Sequence, residues 1–216
     1  MRIAVIGAGR VGQSLAGAFI RAGHEVVLSA SSVESAQEKA QRIGASAAPS
    51  NREAVERSEL VVLAVWFAQH QAVAADIAEA ARGKVVIDVS EPVTPDMSGL
   101  ATDDGPSAAE RLAERLPGAR VAKAFNTVFA TVQAQPDLHG LAADTFVAAD
   151  DPEAKQTVMR LAASIGLRPI DAGPLRHARY LEALGGLAIF LSIVNGWPRP
   201  WTTVWKLVGA PVDEPR

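Results

Sequence analysis

Six residues near the start of the chain, Gly7-Ala8-Gly9-Arg10-Val11-Gly12, have the types and spacing that hold a pyrophosphate. In such a G-x-G-x-x-G turn the first glycine permits a tight bend and the second lets the backbone approach the phosphates. The third lets the following helix pack close to the preceding strand. The phosphates then meet free N–H groups at the positive end of the helix dipole. The motif is weak alone, but here it has its context. The apolar run Met1 to Ile6 precedes it, and Leu15, Ala18, Phe19 and Ala22 follow at helical spacing. Dinucleotide binding by Gly7 to Gly12 is the expectation. Its kind depends on the end of the second strand, where an acid would hold a ribose 2′-hydroxyl. The chain has Ser29-Ala30-Ser31-Ser32 there and no carboxylate before Glu34. The hydroxyls of Ser29, Ser31 and Ser32 can donate to a 2′-phosphate, and Lys39 could reach in from the next helix, so NADP(H) is expected over NAD. Ser32 also suits the N-cap of that helix.

Open α/β sheets bind ligands beyond the carboxyl ends of their strands. Ala64, Val65 and Trp66 end one strand, and Ala124-Phe125-Asn126-Thr127 follow another. Ala64, Val65, Trp66, Ala124 and Asn126 are expected to line the dinucleotide cleft, with Phe125 and Thr127 toward a second substrate. Asn126 has a donor and an acceptor, which suits a carboxamide or a ring carbonyl and equally a hydrogen bond that ties its own loop. It is the one candidate for positioning; no side chain is singled out as catalytic. Lys123 could give a proton but reads more simply as an ion-paired surface lysine. Arg176, Arg179 and Tyr180 share a helix face that suits an anionic substrate tail, whereas pairing of Arg179 with Glu182 is the plainer alternative. Trp197, Trp201 and Trp205, beside Pro198 and Pro200, read as packing or a subunit contact rather than a ring platform.

Composition narrows the chemistry. The 216 residues carry 21 Lys+Arg and 24 Asp+Glu, a net charge of −3, which offers no footprint for nucleic acid or an anionic membrane. Cysteine is absent, so thiolate nucleophiles, disulfides and Cys-ligated metals are excluded. The four histidines, His24, His70, His139 and His177, have no metal-binding spacing, and no metal is expected. The apolar run Leu184 to Val194 is about half of a membrane span. The chain opens directly on a strand pattern rather than a cleavable signal, so a cytoplasmic protein is expected.

These residues must be carried by alternating strands and helices. Strand patterns occur at Met1–Ile6, Glu25–Leu28, Leu60–Val65, Lys84–Asp88, Ala119–Lys123, Thr145–Ala149 and Leu167–Asp171, with a weak one near Ala45–Ala48. Helical patterns follow the glycine turn and cover Val33–Ile43, Gln69–Ala81, Ser107–Arg115, Pro152–Ile165 and Pro174 to about Asn195. Residues 90–106, rich in Pro and Gly, read as a long functional loop. The alternation predicts an α/β fold with a Rossmann-type, doubly wound, mostly parallel sheet. Residues 1–173 form the dinucleotide-binding domain in this reading. Residues 174–216 form a small C-terminal helical extension that completes the acceptor cleft and supplies the contact of a homodimer.

Gly7 to Gly12, Ile87-Asp88, Lys123-Ala124-Phe125-Asn126-Thr127 and Asp171-Ala172-Gly173-Pro174-Leu175-Arg176 together resemble the NADPH:coenzyme F420 oxidoreductase family. The resemblance runs from Met1 to about Gly196 and extends to the reductase domain of membrane metalloreductases. It implies hydride transfer between nicotinamide and a small-molecule redox acceptor, either a deazaflavin (coenzyme F420) or a flavin-like ring. Cofactors carry such chemistry, and the protein orients them. Two departures stand out. The family's arginine after the second strand is replaced by Ser31 and Ser32, and its A-V-P reads Ala64-Val65-Trp66-Phe67. Two alternatives remain: an NADP(H)-dependent reductase of a small imine or carbonyl, with Lys123 or Tyr180 as proton donor, and a dinucleotide-binding sensor without turnover.

Overall fold

The computed structural model describes residues 1–102, 104–138, 140–197 and 201–209; His139, Pro198 and Pro200 lie outside them. The chain passes through β1 (Arg2–Ile6), α1 (Arg10–Arg21), β2 (Glu25–Ser29), α2 (Val33–Ile43), β3 (Ser46–Ala47), α3 (Asn51–Glu56), β4 (Leu60–Leu63), α4 (His70–Ile77) and β5 (Val85–Asp88). It continues through α5 (Ala108–Arg115), β6 (Arg120–Lys123), α6 (Ala130–Ala134), β7 (Asp137–Leu138), β8 (Leu141–Ala142), β9 (Asp144–Ala149), α7 (Pro152–Ser164), β10 (Arg168–Gly173) and α8 (Ala178–Val194).

Strands β4 and β5 are buried along their whole length, as expected where helices cover both faces. The sheet order is β10-β9-β6-β5-β4-β1-β2-β3. Its last six strands follow the doubly wound dinucleotide-binding order, with the switch point between β1 and β4. One face packs against α1, α2, α6 and α7 through Leu15, Phe19, Ala40, Val132, Val158 and Leu161. The other packs against α3, α4, α5 and the foot of α8 through Val55, Ile77, Leu112, Leu175 and Ala178.

Local signals set the helix ends. Ser107 and Glu110 form a reciprocal cap of α5. Asp151 caps α7, with Pro152 at its first position, and Gly44 closes α2 in the left-handed region at φ 76°.

Several elements differ from the sequence reading. Short α3 and α6 and the β7–β8 hairpin carried too little periodicity to be seen, and α4 ends at Ile77 rather than Ala81. Helix α8 begins at Ala178, after a 3₁₀ turn at Leu175–His177, and not at Pro174. Strand β9 runs antiparallel to β6, with Lys123 opposite Ala148, and parallel to β10. Between β6 and β9 there is only five-residue α6 and the hairpin, too little for a helical crossover, so the chain turns back beside the strand it left.

The segment Leu175–Val194 is long and apolar enough to cross a membrane by length and composition. It also carries Glu182, buried and ion-paired to the sheet, as a core helix would. Beyond α8, residues 201–209 return across the molecule. Val204 bridges Val128 antiparallel, Trp205 Nε1 donates to Leu184 O at 3.1 Å, and Trp201 meets the Phe129 ring edge-on at 5.4 Å. Buried Asp144 receives Arg168 at 2.6 and 2.7 Å, Lys206 at 2.9 Å and the Leu207 amide at 2.7 Å. The Arg168 hydrogen bonds lead the effects that hold its carboxyl down to about 2, against the cost of burial.

Candidate functional site

The carboxyl ends of β1, β2, β4, β5 and β6 share one edge of the sheet, and the site grows from β1. Gly7 has φ 100°, and a Cβ there would lie 2.3 Å from Ala64 O. A Cβ on Gly12 would lie 1.9 Å from Gly7 O, so the start of α1 fits against the turn only as glycine. Gly9 is different: an added Cβ meets nothing within 4 Å. Its backbone is ordinary (φ −74°, ψ −169°), and it caps α1 without a side chain, so the first-turn N–H groups are open. Gln13 Nε2 donates to Ala8 O at 2.9 Å and stiffens the turn. Arg10 is exposed, with no ion pair or hydrogen bond among the described residues. An open approach to Gly9, bare helix N–H groups and a free cation fit a pyrophosphate.

At the end of β2, Ser31 and Ser32 are exposed. Ser32 Oγ accepts from Ser35 N at 3.2 Å as the N-cap of α2. Ser29 is buried, and its hydroxyl donates to Asn51 Oδ1 at 2.8 Å, while Asn51 donates to Asp76 at 3.2 Å. The structure therefore corrects the expectation of three available hydroxyls: Ser31 and Ser32 face outward and Ser29 supports the edge from beneath. At β4, Ala64 and Val65 are half-buried against the glycine turn, and Trp66 stands 70% exposed.

The ends of β5 and β6 hold a buried polar cluster that sequence reasoning missed. Lys123 is completely buried, which corrects the surface reading. Its ammonium lies 3.0 Å from Asp88 Oδ2, 3.0 Å from Glu182 Oε1 and 2.7 Å from Ser90 O. Glu182 also accepts from the N–H groups of Ala108 and Ala109 at the start of α5, at 3.0 and 3.3 Å. The surrounding carboxylates outweigh desolvation and push the Lys123 pKa up, so it stays charged and is no proton donor. His70, buried 3.7 Å from Asp88, has its pKa lowered by desolvation and both ring nitrogens unpartnered. Asp88 and Lys123 stood in motifs the sequence singled out, but their clustering with Glu182 depends on contacts distant in the chain.

The β6 turn lies over this cluster. Ala124 and Phe125 are fully buried. Phe125 has φ 65° and packs edge-on against Phe19 at 6.2 Å, so its side chain belongs to the core and not to a substrate surface. Asn126 Nδ2 donates to Leu181 O at 2.8 Å and to Glu91 Oε2 at 2.9 Å, which is the loop-tying arrangement. Its amide is not presented to the cleft. Thr127 is buried, with its hydroxyl unpartnered.

Two other expected contacts lie elsewhere. Arg176 sits in the 3₁₀ turn, whose Leu175 N–H donates to Asp150 at 2.8 Å. Asp151 next to it pairs with Arg120 at the start of β6, so Arg176 is at the opposite edge from the glycine turn. Arg179 pairs with Glu110 of α5 at 2.8 Å, not with Glu182, and is not free for a substrate tail. Tyr180 is 71% exposed beside the His177 ring.

Comparison with known proteins agrees with this geometry. Residues 2–92 match the family model described as NADP oxidoreductase coenzyme F420-dependent. The chain is 36% identical over 213 residues to the F420-dependent NADP reductase of Methanothermobacter marburgensis, covering 90% of this chain and 94% of that protein. It is 29% identical over 206 residues to metalloreductase STEAP3 of Rattus norvegicus, covering 92% of this chain and 38% of that protein. Among solved structures, a putative F420-dependent NADP reductase from Arthrobacter sp. FB24 superposes with a TM-score of 0.81 at 29% identity, covering 90% of this chain and 94% of that one.

Proposed function

The chain belongs to the F420-dependent NADP reductase family, and from that premise we propose that it is an oxidoreductase moving hydride between NADP(H) and coenzyme F420 or a flavin-like ring. The open space at Gly9, between two glycines locked by packing, carries the reading, because packing does not demand a glycine there and a pyrophosphate approaching the backbone does. The dinucleotide supplies or takes the hydride at its nicotinamide, and the chain supplies orientation. Gly7 to Gly12 hold the pyrophosphate, with Arg10 adding charge. Ser31 and Ser32 donate to the 2′-phosphate, and Ala64, Val65 and Trp66 wall the cleft. Asn126 acts through the turn it ties.

Residues 1–173 form the dinucleotide domain in this proposal. Residues 174–216 complete the acceptor cleft, and Leu187, Ile193 and Val194, exposed on α8, supply a homodimer contact. A cytoplasmic enzyme without nucleic-acid or membrane partners fits the net charge of −3. The imine or carbonyl reductase reading loses both proton donors, since Lys123 is locked in ion pairs and Tyr180 stands at the foot of α8. The deciding experiment offers NADPH with coenzyme F420, free flavin or small carbonyls to the purified protein. Oxidation with F420 or with flavin supports the proposal, turnover only of carbonyls overturns it, and binding without turnover identifies a sensor.

A further inference from the structure

Three carboxylates, Asp88, Glu91 and Glu182, surround one ammonium at the ends of β5 and β6. Lysine has three N–H donors. Those of Lys123 go to Asp88, Glu182 and Ser90 O, and none is left for Glu91. Asp88 further accepts from Ser90 N at 2.9 Å, and Glu182 from two helix amides. Glu91 has a single donor, Asn126 Nδ2 on Oε2. The amide orientation of Asn126 is fixed, because Leu181 O can only accept and must face the NH₂ group.

Two oxygens on this joined pair are consequently buried without a donor: Glu91 Oε1 and Asn126 Oδ1. The buried hydroxyls of Ser90 and Thr127 reach neither. Helix α8 seals the pair, since a Cβ on Gly185 would stand 2.0 Å from Glu91 Oε2 and 2.9 Å from Asn126 Nδ2. Two acceptors left bare on one hydrogen-bonded pair are costly, and one proton shared between them would remove both defects.

We propose that Glu91 is a positioning residue carried as a neutral carboxylic acid, its Oε1–H donating to Asn126 Oδ1 while Asn126 Nδ2 donates to Oε2. This reciprocal acid–amide pair, with the Leu181 bond, fastens the β6 turn and α8 to the carboxyl edge. Desolvation, the largest effect on Glu91, also favours the protonated form and raises its pKa well above the usual value. Lys123 and the Asn126 hydrogen bond oppose that, and Glu182 and Asp88 add to it. The folding part of the inference stands on packing alone; its effect on turnover rests on the reductase reading above.

Because the folded state holds this proton more tightly than the unfolded chain, stability is lost as pH rises from the usual glutamate value toward the raised one. Glu91→Gln presents the same donor and acceptor without a titration. The groups facing Glu91 from β5, β6 and α8 (Asp88, Lys123, Glu182), together with His70 beside Asp88, are common to both proteins, so the difference between them isolates position 91. Melting temperatures are measured from pH 5 to pH 9. The variant is expected to match the wild type at pH 5 and to gain about 3 °C or more on it by pH 9.

Wild type and Glu91→Gln running parallel across that range would overturn the proposal, as would a variant already several degrees less stable at pH 5. In the reductase assay, Glu91→Gln is expected to keep kcat and the KM for NADPH at pH 6 and to lose less activity than wild type at pH 9. Glu91→Ala, where it folds, is expected to weaken NADPH several-fold at both pH values. A protein inactive as a reductase would still show or fail to show the melting difference, so the two failures are separable.

Discussion

Adding one methyl group at Gly9 and at Gly12 separates ligand binding from packing. At Gly12 the new Cβ would fall 1.9 Å from Gly7 O, a backbone atom that cannot swing aside. Overpacking of that kind costs about 1–3 kcal/mol, or about 2–4 °C per kcal/mol in a chain of this length. At Gly9 the Cβ meets nothing within 4 Å, and φ −74° with ψ −169° suits alanine. The remaining cost is the poorer N-cap, about 0.5–1 kcal/mol. A pyrophosphate seated on the α1 amides would be pushed outward by that methyl and lose at least one charge-assisted hydrogen bond. At about 1.5–3 kcal/mol each, that is a roughly 10- to 150-fold loss of NADPH affinity. The assay pairs calorimetric titration of NADPH with thermal melts of Gly9→Ala, Gly12→Ala and the wild type. Gly9→Ala is expected to melt within a few degrees of wild type and bind at least tenfold more weakly. Wild-type affinity in Gly9→Ala would refute the phosphate assignment, whatever its melting temperature.

Other outcomes follow from the same geometry. Ser31→Asp places a carboxylate at the outward-facing end of β2, and the NADPH to NADH preference measured by initial rates is expected to fall at least tenfold. Lys123→Met strands Asp88 and Glu182 without their shared cation. A loss of about 3–5 kcal/mol in urea denaturation is expected, and a neutral result would mean that the cluster is not charged as described. Glu110 is held down to about 2, first by its Arg179 hydrogen bonds, so its contribution is present above the usual glutamate value and lost as pH falls toward 2. Arg179→Met should weaken that acid limb in circular-dichroism titration while leaving neutral-pH turnover unchanged.

The glycine turn and the strands of β1, β2, β4, β5 and β6 were legible because each signal is local: a spacing, an apolar run, a cap. The Ser107–Glu110 cap is of the same local kind, a serine and a glutamate three residues apart. The cluster at β5 and β6 was not legible, because a buried lysine looks in sequence like any exposed one. What buries Lys123 is a helix, α8, that reaches it from far along the chain. Arg179 shows the converse failure: the nearest acid in sequence, Glu182, points into the cluster, and the actual partner is Glu110 on another helix. The direction of β9 was hidden too, since the segment before it is written in five-residue α6 and a two-residue-strand hairpin, below the length at which periodicity speaks.

The fastening of Asp144 has a chronological side. Its partners are not synthesised together: Arg168 emerges soon after β9, whereas Lys206 and the Leu207 amide come almost forty residues later. A growing chain can lay down β1 to β6 and the glycine turn while Asp144 has only Arg168 as a partner. Docking of residues 204–207 then completes the carboxylate's shell and draws Val204 against Val128, next to the turn that follows β6. The parallel strands and the glycine turn are thus translated well before the clasp at residues 204–207.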